Sequence, residues 1–446
     1  MTSNPQRVRR TMIGIWYRLQ PPVLAACLLL AGICCAPGDG RAAALPVGVH
    51  GFFEAAAGLR LGDDRTRKEG TNLLEGRLQL TCSLYPEQPA VLAGWNTEFF
   101  FKGDLLADLH AEEPDGAVRE CYVQASPLSF LDIKLGRQIL TWGTGDLIFI
   151  NDLFPKDFVS LFIGRDVEYL KMPSDALKLS LYTRAVNLDL VCIPFFRPDQ
   201  QIRGDRLSFF SPFARSLEGS DADLHYNRRG NAPDNAELAL RLHRMLQSYE
   251  VALYGFWGYY KQPAGVKNIR RREVFYPGLM VLGGSIRGPA LAGIASFEFG
   301  YYHSREDTSG HDPLVENSSL RYLVGYEYQF PDDMLISLQY YVSQMRDYHD
   351  YRVTQPSGMP AQDAWLQWIT MRATKFLFHQ DLELSLFIYY SPSADDFHLR
   401  PRVTWELTDR WKLILGANIF GGEDIYSSFG QLRRNDTAYM RIRYSF

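Results

Sequence analysis

Side-chain alternation over about ten residues, repeated along the chain, most limits what this protein can fold into. In the last segment Ala438, Met440, Ile442, Tyr444 and Phe446 alternate with Thr437, Tyr439, Arg441, Arg443 and Ser445. Successive side chains of a strand point to opposite faces, so this spacing reads as a strand with one greasy face. The same period recurs on 74–84, 320–330, 334–342 and 381–390. About 18 such segments begin near residues 48, 73, 91, 117, 130, 175, 186, 235, 249, 274, 291, 319, 334, 363, 381, 397, 411 and 436. Ten residues with aromatic ends suit a tilted strand crossing a bilayer.

The connections supply an independent argument. With the first strand running outward, the inner turns are 85–90, 126–129, 183–185, 244–248, 288–290, 331–333, 375–380 and 408–410. The outer loops are 62–72, 103–116, 142–174, 195–234, 261–273, 304–318, 347–362, 391–396 and 421–435. Short turns at one end and long loops at the other belong to membrane barrels, and a soluble sandwich gives no reason for them. In lipid every backbone N–H and C=O must pair within the protein, so the sheet must leave no edge. The expected fold is all-β: a transmembrane antiparallel barrel of about 18 strands (16–18), with the strand ending at Phe446 closing on the one starting near 48. An even count puts both ends on the periplasmic side.

The N-terminus has a different character. Arg7, Arg9, Arg10 and Arg18 precede the apolar run 23–35, then Gly38-Asp39-Gly40 and Ala42-Ala43-Ala44. Charge, short apolar core and small residues, in that order, make a secretory signal with cleavage after Ala44. The domains read as signal peptide 1–44 and barrel 45–446. The apolar run falls short of the roughly 20 residues of a spanning helix. Leu24-Ala25-Ala26-Cys27 has most of the apolar run on the wrong side for a lipoprotein box, and Arg9-Arg10 hints at a twin-arginine route that does not suit a barrel. Residues 1–44 carry five of the 47 basic and one of the 51 acidic groups, so the mature chain has a net charge of −8. Nucleic acid is not an expected partner. Cys82, Cys121 and Cys192 remain, an odd number with no disulfide or metal-ligand spacing. No metal or cofactor is implied.

Charges on the inward faces must line the lumen, because ionised groups facing lipid are costly. The principal ones are Arg321, Glu327, Glu383, Arg400, Arg402, Lys412, Arg441 and Arg443. With His398, the bases of the last three strands form a ladder on one wall. Two readings stand: an electrostatic path for anionic solutes, or ion pairing with acids such as Glu406. The loop 142–174 is too apolar to be freely solvated. Asp152 is placed to cap a short helix with Pro155 in its first turn, which would put Phe154, Phe158 and Phe162 on one face. If the loop enters the lumen, its constriction charges are Asp146, Asp152, Lys156, Asp157, Arg165 and Asp166; the alternative is a cap over the mouth. The loop 195–234 reads as a surface loop or lid, with Asp221 and Asp223 a slight calcium signal. The run Lys267, Arg270, Arg271, Arg272 is either solvated or set against lipopolysaccharide phosphates.

The stretch Leu135-Gly136-Arg137-Gln138-Ile139-Leu140-Thr141-Trp142-Gly143, continuing to Asn151-Asp152-Leu153-Phe154-Pro155, resembles the Gly-Arg-Gln…Trp-Gly…Asn-Pro region of a porin-like family of proteobacterial outer-membrane proteins. Alginate-export-type barrels are similar around Gly-Arg-Gln, and 74–80 resembles their early strands. The motifs cover about a tenth of the chain, and Asn-Asp-Leu-Phe-Pro departs from a plain Asn-Pro. The resemblance implies a channel-type barrel in the Gram-negative outer membrane without carrying over a substrate. Phe446 and Tyr444 resemble the C-terminal aromatic signal read by the barrel-assembly machinery. Outer-membrane lipid, lipopolysaccharide, and small polar or anionic solutes are the other expected partners, and a homo-oligomer is left open.

Three functions compete. A porin-like channel for diffusion or selective passage of small polar solutes comes first, since about 18 strands enclose a wide lumen. A structural or assembly barrel housing an export or electron-transfer partner is second. A barrel enzyme is third: Gly283-Gly284-Ser285-Ile286-Arg287 misses the last Gly of a nucleophile elbow, and His303, His311, His349 and His379 sit near strand ends. A plugged, energy-coupled transporter is not expected, because the first strand begins close to the cleavage site.

Overall fold

The computed structural model describes residues 47–62, 70–85, 94–110, 115–230, 232–356 and 361–446. The proposed signal peptide lies outside them. Eighteen strands form one sheet: β1 (Val47–Arg60), β2 (Thr71–Leu84), β3 (Glu98–Asp108), β4 (Asp115–Leu128), β5 (Leu131–Ile139), β6 (Pro173–Tyr182), β7 (Asn187–Ile193), β8 (Glu237–Leu246), β9 (Tyr249–Tyr259), β10 (Gly278–Ala290), β11 (Gly293–Ser304), β12 (Ser319–Phe330), β13 (Met334–Met345), β14 (Trp365–Leu377), β15 (Leu382–Ser391), β16 (Asp396–Glu406), β17 (Trp411–Gly422) and β18 (Thr437–Ser445). Every strand pairs antiparallel with its sequence neighbours. β18 pairs with β1 from Phe52↔Ser445 to Arg60↔Thr437, which closes the barrel. Phe446 extends that seam: its N–H donates to the Gly51 carbonyl at 3.0 Å and its own carbonyl accepts from the Gly51 N–H at 3.1 Å.

The alternation sorts as expected. On the outer face Phe53, Leu105, Leu253, Val324 and Met440 are each half or more exposed. On the inner face Glu54, Glu75, Arg77 and Arg441 are buried. A surface this apolar, wrapped around a polar lumen, needs lipid against it. Tyr85, Phe130, Tyr182, Tyr249, Phe330, Trp411 and Phe446 stand exposed near the short-turn end, where a membrane interface favours amphipathic rings.

Two spans differ from the sequence reading. The third strand runs over Glu98–Asp108 rather than from near 91; residues 91–93 lie outside the described ones and 94–97 are not strand. The expected turn 85–90 falls mostly outside the described residues, and Gly103–Asp108, expected as loop, belong to the strand. Gly103-Asp104 looks like a turn, but Asp104 and Asp108 continue the inward face because arginines neutralise them there. The other inner connections hold four residues or fewer.

β5 shows what the Gly-Arg-Gln stretch does. Gly136 has φ +132°, and a Cβ there would collide with the Cys121 carbonyl of β4. Arg137 forks onto Asp175 of β6 at 2.7 and 2.9 Å, while the Gln138 side chain donates to the Ala176 carbonyl at 3.0 Å. The motif ties three strands at the root of the next loop.

Candidate functional site

That loop, residues 140–172, folds into the barrel. Its apolar residues Leu147, Ile148, Ile150, Phe154, Leu161 and Leu170 form a core with rings on the lumen wall, among them Tyr302, Tyr341, Phe387 and Tyr389. Polar anchors surround this core. The Glu298 carboxylate of β11 accepts four hydrogen bonds: Thr144 N–H at 2.6 Å, Thr144 Oγ1 at 2.9 Å, and Asn151 N–H and Nδ2 at 2.9 Å each. Gln339 Oε1 accepts from Asp146 N–H at 3.0 Å, and the Tyr389 hydroxyl donates to the Leu147 carbonyl at 2.8 Å. Leu147 is held at φ +58°, a left-handed conformation unfavourable for a Leu. Gly283 of β10 leaves the space that Asn151 occupies, since a Cβ there would overlap the Asn151 side chain.

The helix in this loop starts later than the sequence suggested. α1 spans Phe158–Ile163, and its cap is Asp157, which accepts from Ser160 N–H at 2.9 Å and Ser160 Oγ at 2.6 Å. Asp152 is instead buried between Thr141 Oγ1 and Lys156 Nζ, both at 2.8 Å. Lys156 also donates to the Phe154 carbonyl at 2.7 Å, so its charge is spent inside the loop. Phe158 and Phe162 share a face at 6.1 Å, whereas Phe154 turns away to pack on Trp142 at 5.1 Å.

Of the six expected constriction charges, Asp146, Asp152 and Lys156 line a cavity. The other three anchor the loop or its helix. Asp157 caps α1. Arg165 reaches Glu75 of β2 at 2.7 Å, and Asp166 receives Arg441 at 3.1 Å and Arg443 at 3.4 Å from β18. Burial raises the Asp166 carboxyl, but Arg441 and Arg443 outweigh it and bring its pKa to about 2.

The ladder bases all face acids or amides. Arg441 and Arg443 share Glu54 at 3.4 and 2.7 Å, Arg402 meets Glu383 at 2.6 Å, and Lys412 meets Glu406 at 2.7 Å. Arg400 is buried against Asn418 Oδ1 at 3.2 Å. Deeper on the wall Arg77, Arg165 and Arg206 interleave with Glu75, Asp104 and Asp108. The wall is a set of neutralised clusters. Of the eight expected pore-lining residues, only Arg321 and Glu327 border the two large cavities.

Those cavities lie on opposite sides of loop segment 144–148. The inner one, about 350 Å³ toward the short turns, is lined by Asp146, Arg287, Glu327, Gln339 and Arg372, with Ser296 and Ser337. Arg372 forks onto Asp146, with Nη2 to Oδ1 at 2.7 Å, and Arg287 faces Glu327 at 3.6 Å. The outer one, about 730 Å³ toward the long loops, runs from Leu147 and Ile148 past Tyr302, Arg321, Tyr341 and Trp368 to the rim at Gln362 and Asp363. Sequence reasoning missed Glu298, Gln339 and Arg372; each sits on an inward position, but nothing in the chain links it to a loop some 150 or more residues away.

The 195–234 region is more than a lid. Asp199 accepts from Lys156 N–H at 2.7 Å and Gln200 N–H donates to the Lys156 carbonyl at 2.9 Å, joining the two loops. Burial pushes the Asp199 carboxyl up to about 6. Arg206 reaches Asp108 in the barrel wall. Asp221 closes its own turn on Gly219 N–H at 3.2 Å, and Asp223 lies 3.7 Å from His225. In the basic run Lys267 faces Glu273 and Arg272 meets Glu218, leaving Arg270 and Arg271 exposed. Ser285 pairs with the Tyr254 hydroxyl at 2.9 Å rather than with a base.

A closed 18-stranded antiparallel barrel with an apolar belt, short turns at one end and a loop folded into the lumen has the architecture of an outer-membrane β-barrel. Among solved structures, OccAB3 of Acinetobacter baumannii superposes with a TM-score of 0.53 at 10% identity, covering 90% of this chain and 99% of that one. OccAB4 of the same organism gives 0.53 at 8% identity (90% and 98%), and OccAB1 gives 0.51 at 10% (90% and 96%). At such identities the likeness is one of fold. No protein-family model and no curated protein matches the chain.

Proposed function

We propose that this protein is a substrate-selective channel for small polar solutes across the outer membrane. One observation carries the reading: the barrel holds water-sized space on both sides of a single inserted segment, 144–148, which is therefore the gate or constriction between two chambers. An anionic preference finds little support in the lining. Asp146 and Glu327 balance Arg287 and Arg372 in the inner chamber, so the field there has no dominant sign. The structural-sheath alternative loses its premise, because the wide lumen is taken up by the protein's own loops.

Reconstitution into planar bilayers tests the channel. Discrete conductance steps with a reversal potential close to zero in a potassium chloride gradient are expected. A trace that stays at the closed-lipid baseline, from barrel shown to be folded, removes the proposal. The proposed signal peptide and the assembly role of Phe446 and Tyr444 belong to the same picture of export and insertion. Phe446 packs on Phe53 at 5.5 Å and Tyr444 on Trp411 at 5.0 Å, at the short-turn end of the barrel.

A further inference from the structure

We propose that the outer chamber is a binding site for a small, uncharged, ring-bearing organic solute, captured from outside before passage. This rests on the channel reading and names its solute class.

Three observations converge. First, the chamber lies in the lumen, where a simple water-filled pore would be polar, yet its floor and one wall are apolar: Leu147 and Ile148 below, Tyr341, Trp368 and Phe429 beside them. Ligand pockets of about 300–1,000 Å³ are lined in this way, and about 730 Å³ falls inside that range. Second, the rings are mutually fixed. Trp368 packs on Tyr341 at 5.3 Å and on Phe429 at 6.1 Å, and Phe429 on Tyr389 at 5.3 Å. A wall already held rigid costs little to order when a flat molecule stacks on it. Third, the cations of the chamber are engaged before any solute arrives, and the exposed Asp363 stands at its rim. Lys156 is held by Asp152, Lys261 meets Glu237, and Arg321 lies over the Tyr302 ring at 3.7 Å with Glu316 at 3.6 Å. An anionic solute would have to break one of these pairs to find a counter-ion, whereas a neutral ring displaces only water from apolar surface.

The polarity changes across the 144–148 segment, from apolar above to ionic below. Selection by ring therefore comes first and the polar step second.

The test is calorimetric titration of the full-length folded barrel in detergent micelles with 4-hydroxybenzyl alcohol. Glucose and the 4-hydroxybenzoate anion are comparison probes, and protein-free micelles provide the partition blank. Saturable binding of the neutral ring is expected, with glucose giving no heat above the blank and the anion binding more weakly. Trp368→Ala should weaken binding about tenfold and Trp368→Phe much less, because a stacked ring contributes on the order of one decade. Heat-modifiable gel migration confirms that each variant is folded, and Trp368→Phe keeps the test alive if the Ala variant is not. Arg372→Ala, in the inner chamber, should leave binding unchanged. No saturable heat with the neutral ring, tighter binding of the anion or of glucose, or equal affinity in the Trp368 variants would overturn the assignment. Because binding is read at equilibrium, a barrel that binds the ring but passes no current would sink the channel reading while leaving this site standing.

Discussion

Removing the Glu298 carboxylate should loosen the segment that divides the lumen. Four donors from Thr144 and Asn151 converge on it, and it is 1% exposed. Hydrogen bonds to a charged group contribute roughly 1.5–3 kcal/mol each but do not add, since all four share one acceptor. Glu298→Ala also strands the Thr144 and Asn151 N–H groups. A local loss of about 4 kcal/mol is a fair expectation, or about a thousandfold in the opening equilibrium. Glu298→Gln keeps one acceptor oxygen but turns an amide toward donors, and should cost about 2 kcal/mol. The Tyr389 hydroxyl, Gln339 and the Arg372–Asp146 fork remain, so the segment should flicker rather than leave. Amide exchange at Asn151, read by mass spectrometry on the folded barrel, should accelerate in the order wild type, Gln, Ala. Bilayer conductance should rise and grow noisier in the same order. If Asn151 exchanges at the wild-type rate in a folded Glu298→Ala barrel, the idea that this carboxylate holds the partition is wrong.

Further expectations concern the wall, the seam and the loops. Arg441→Ala leaves Glu54 and Asp166 to Arg443 alone, so it should lower the temperature of heat-modified gel migration, by about 3 kcal/mol of stability, with little change in reversal potential. A changed ion preference at unchanged thermal stability would contradict the paired-charge reading. Deleting Phe446 removes two backbone bonds of the closing seam and the ring on Phe53, so the folded fraction in outer-membrane preparations should drop several-fold; an undiminished fraction would discount its role in insertion. Asp199 carries a pKa raised from 3.8 to about 6, so ionising it opposes the fold. The contact between the two lumen loops should be tightest at low pH, weaken as pH climbs from about 4 to 6, and stay level above, a swing of at most about 3 kcal/mol. Intrinsic-rate-corrected exchange at Gln200 should follow that curve and become flat in Asp199→Asn; an unchanged pH profile in that variant would assign the effect elsewhere.

The barrel was legible because its two rules are local. Alternation along 437–446 or 334–342 is written in adjacent residues, and loop length is read directly. The third strand slipped because its inward Asp104 and Asp108 look like turn residues until Arg77 and Arg206 are set beside them. The helix cap slipped for a similar reason: Lys156 claims Asp152, leaving Asp157 to the helix. Entry of loop 142–174 into the lumen could be suspected from its apolar content. Its anchors were hidden, because Glu298, Gln339 and Arg372 come from distant strands. The basic ladder shows the same limit in reverse. The bases were visible, and so was the pairing of Lys412 with Glu406 that one of the two readings offered; the other acids stand on β1, on β15 and in the inserted loop.

The meeting of Arg441 with Glu54 and Asp166 has a bearing on folding order. These partners are separated by 387 and 275 residues, so no part of that cluster can assemble until the last strand is in place. The loop between β5 and β6 is made early, yet Glu298, Asn418 and Arg441, which receive it, are made late. While the sheet is still an open ribbon the loop has only its early anchors, such as Glu75 of β2 and Lys102 of β3, which hold the segment 165–168. The anchors on Glu298, Asn418 and Arg441 can form only as the late strands arrive, so full ordering of the interior is tied to closure of the seam.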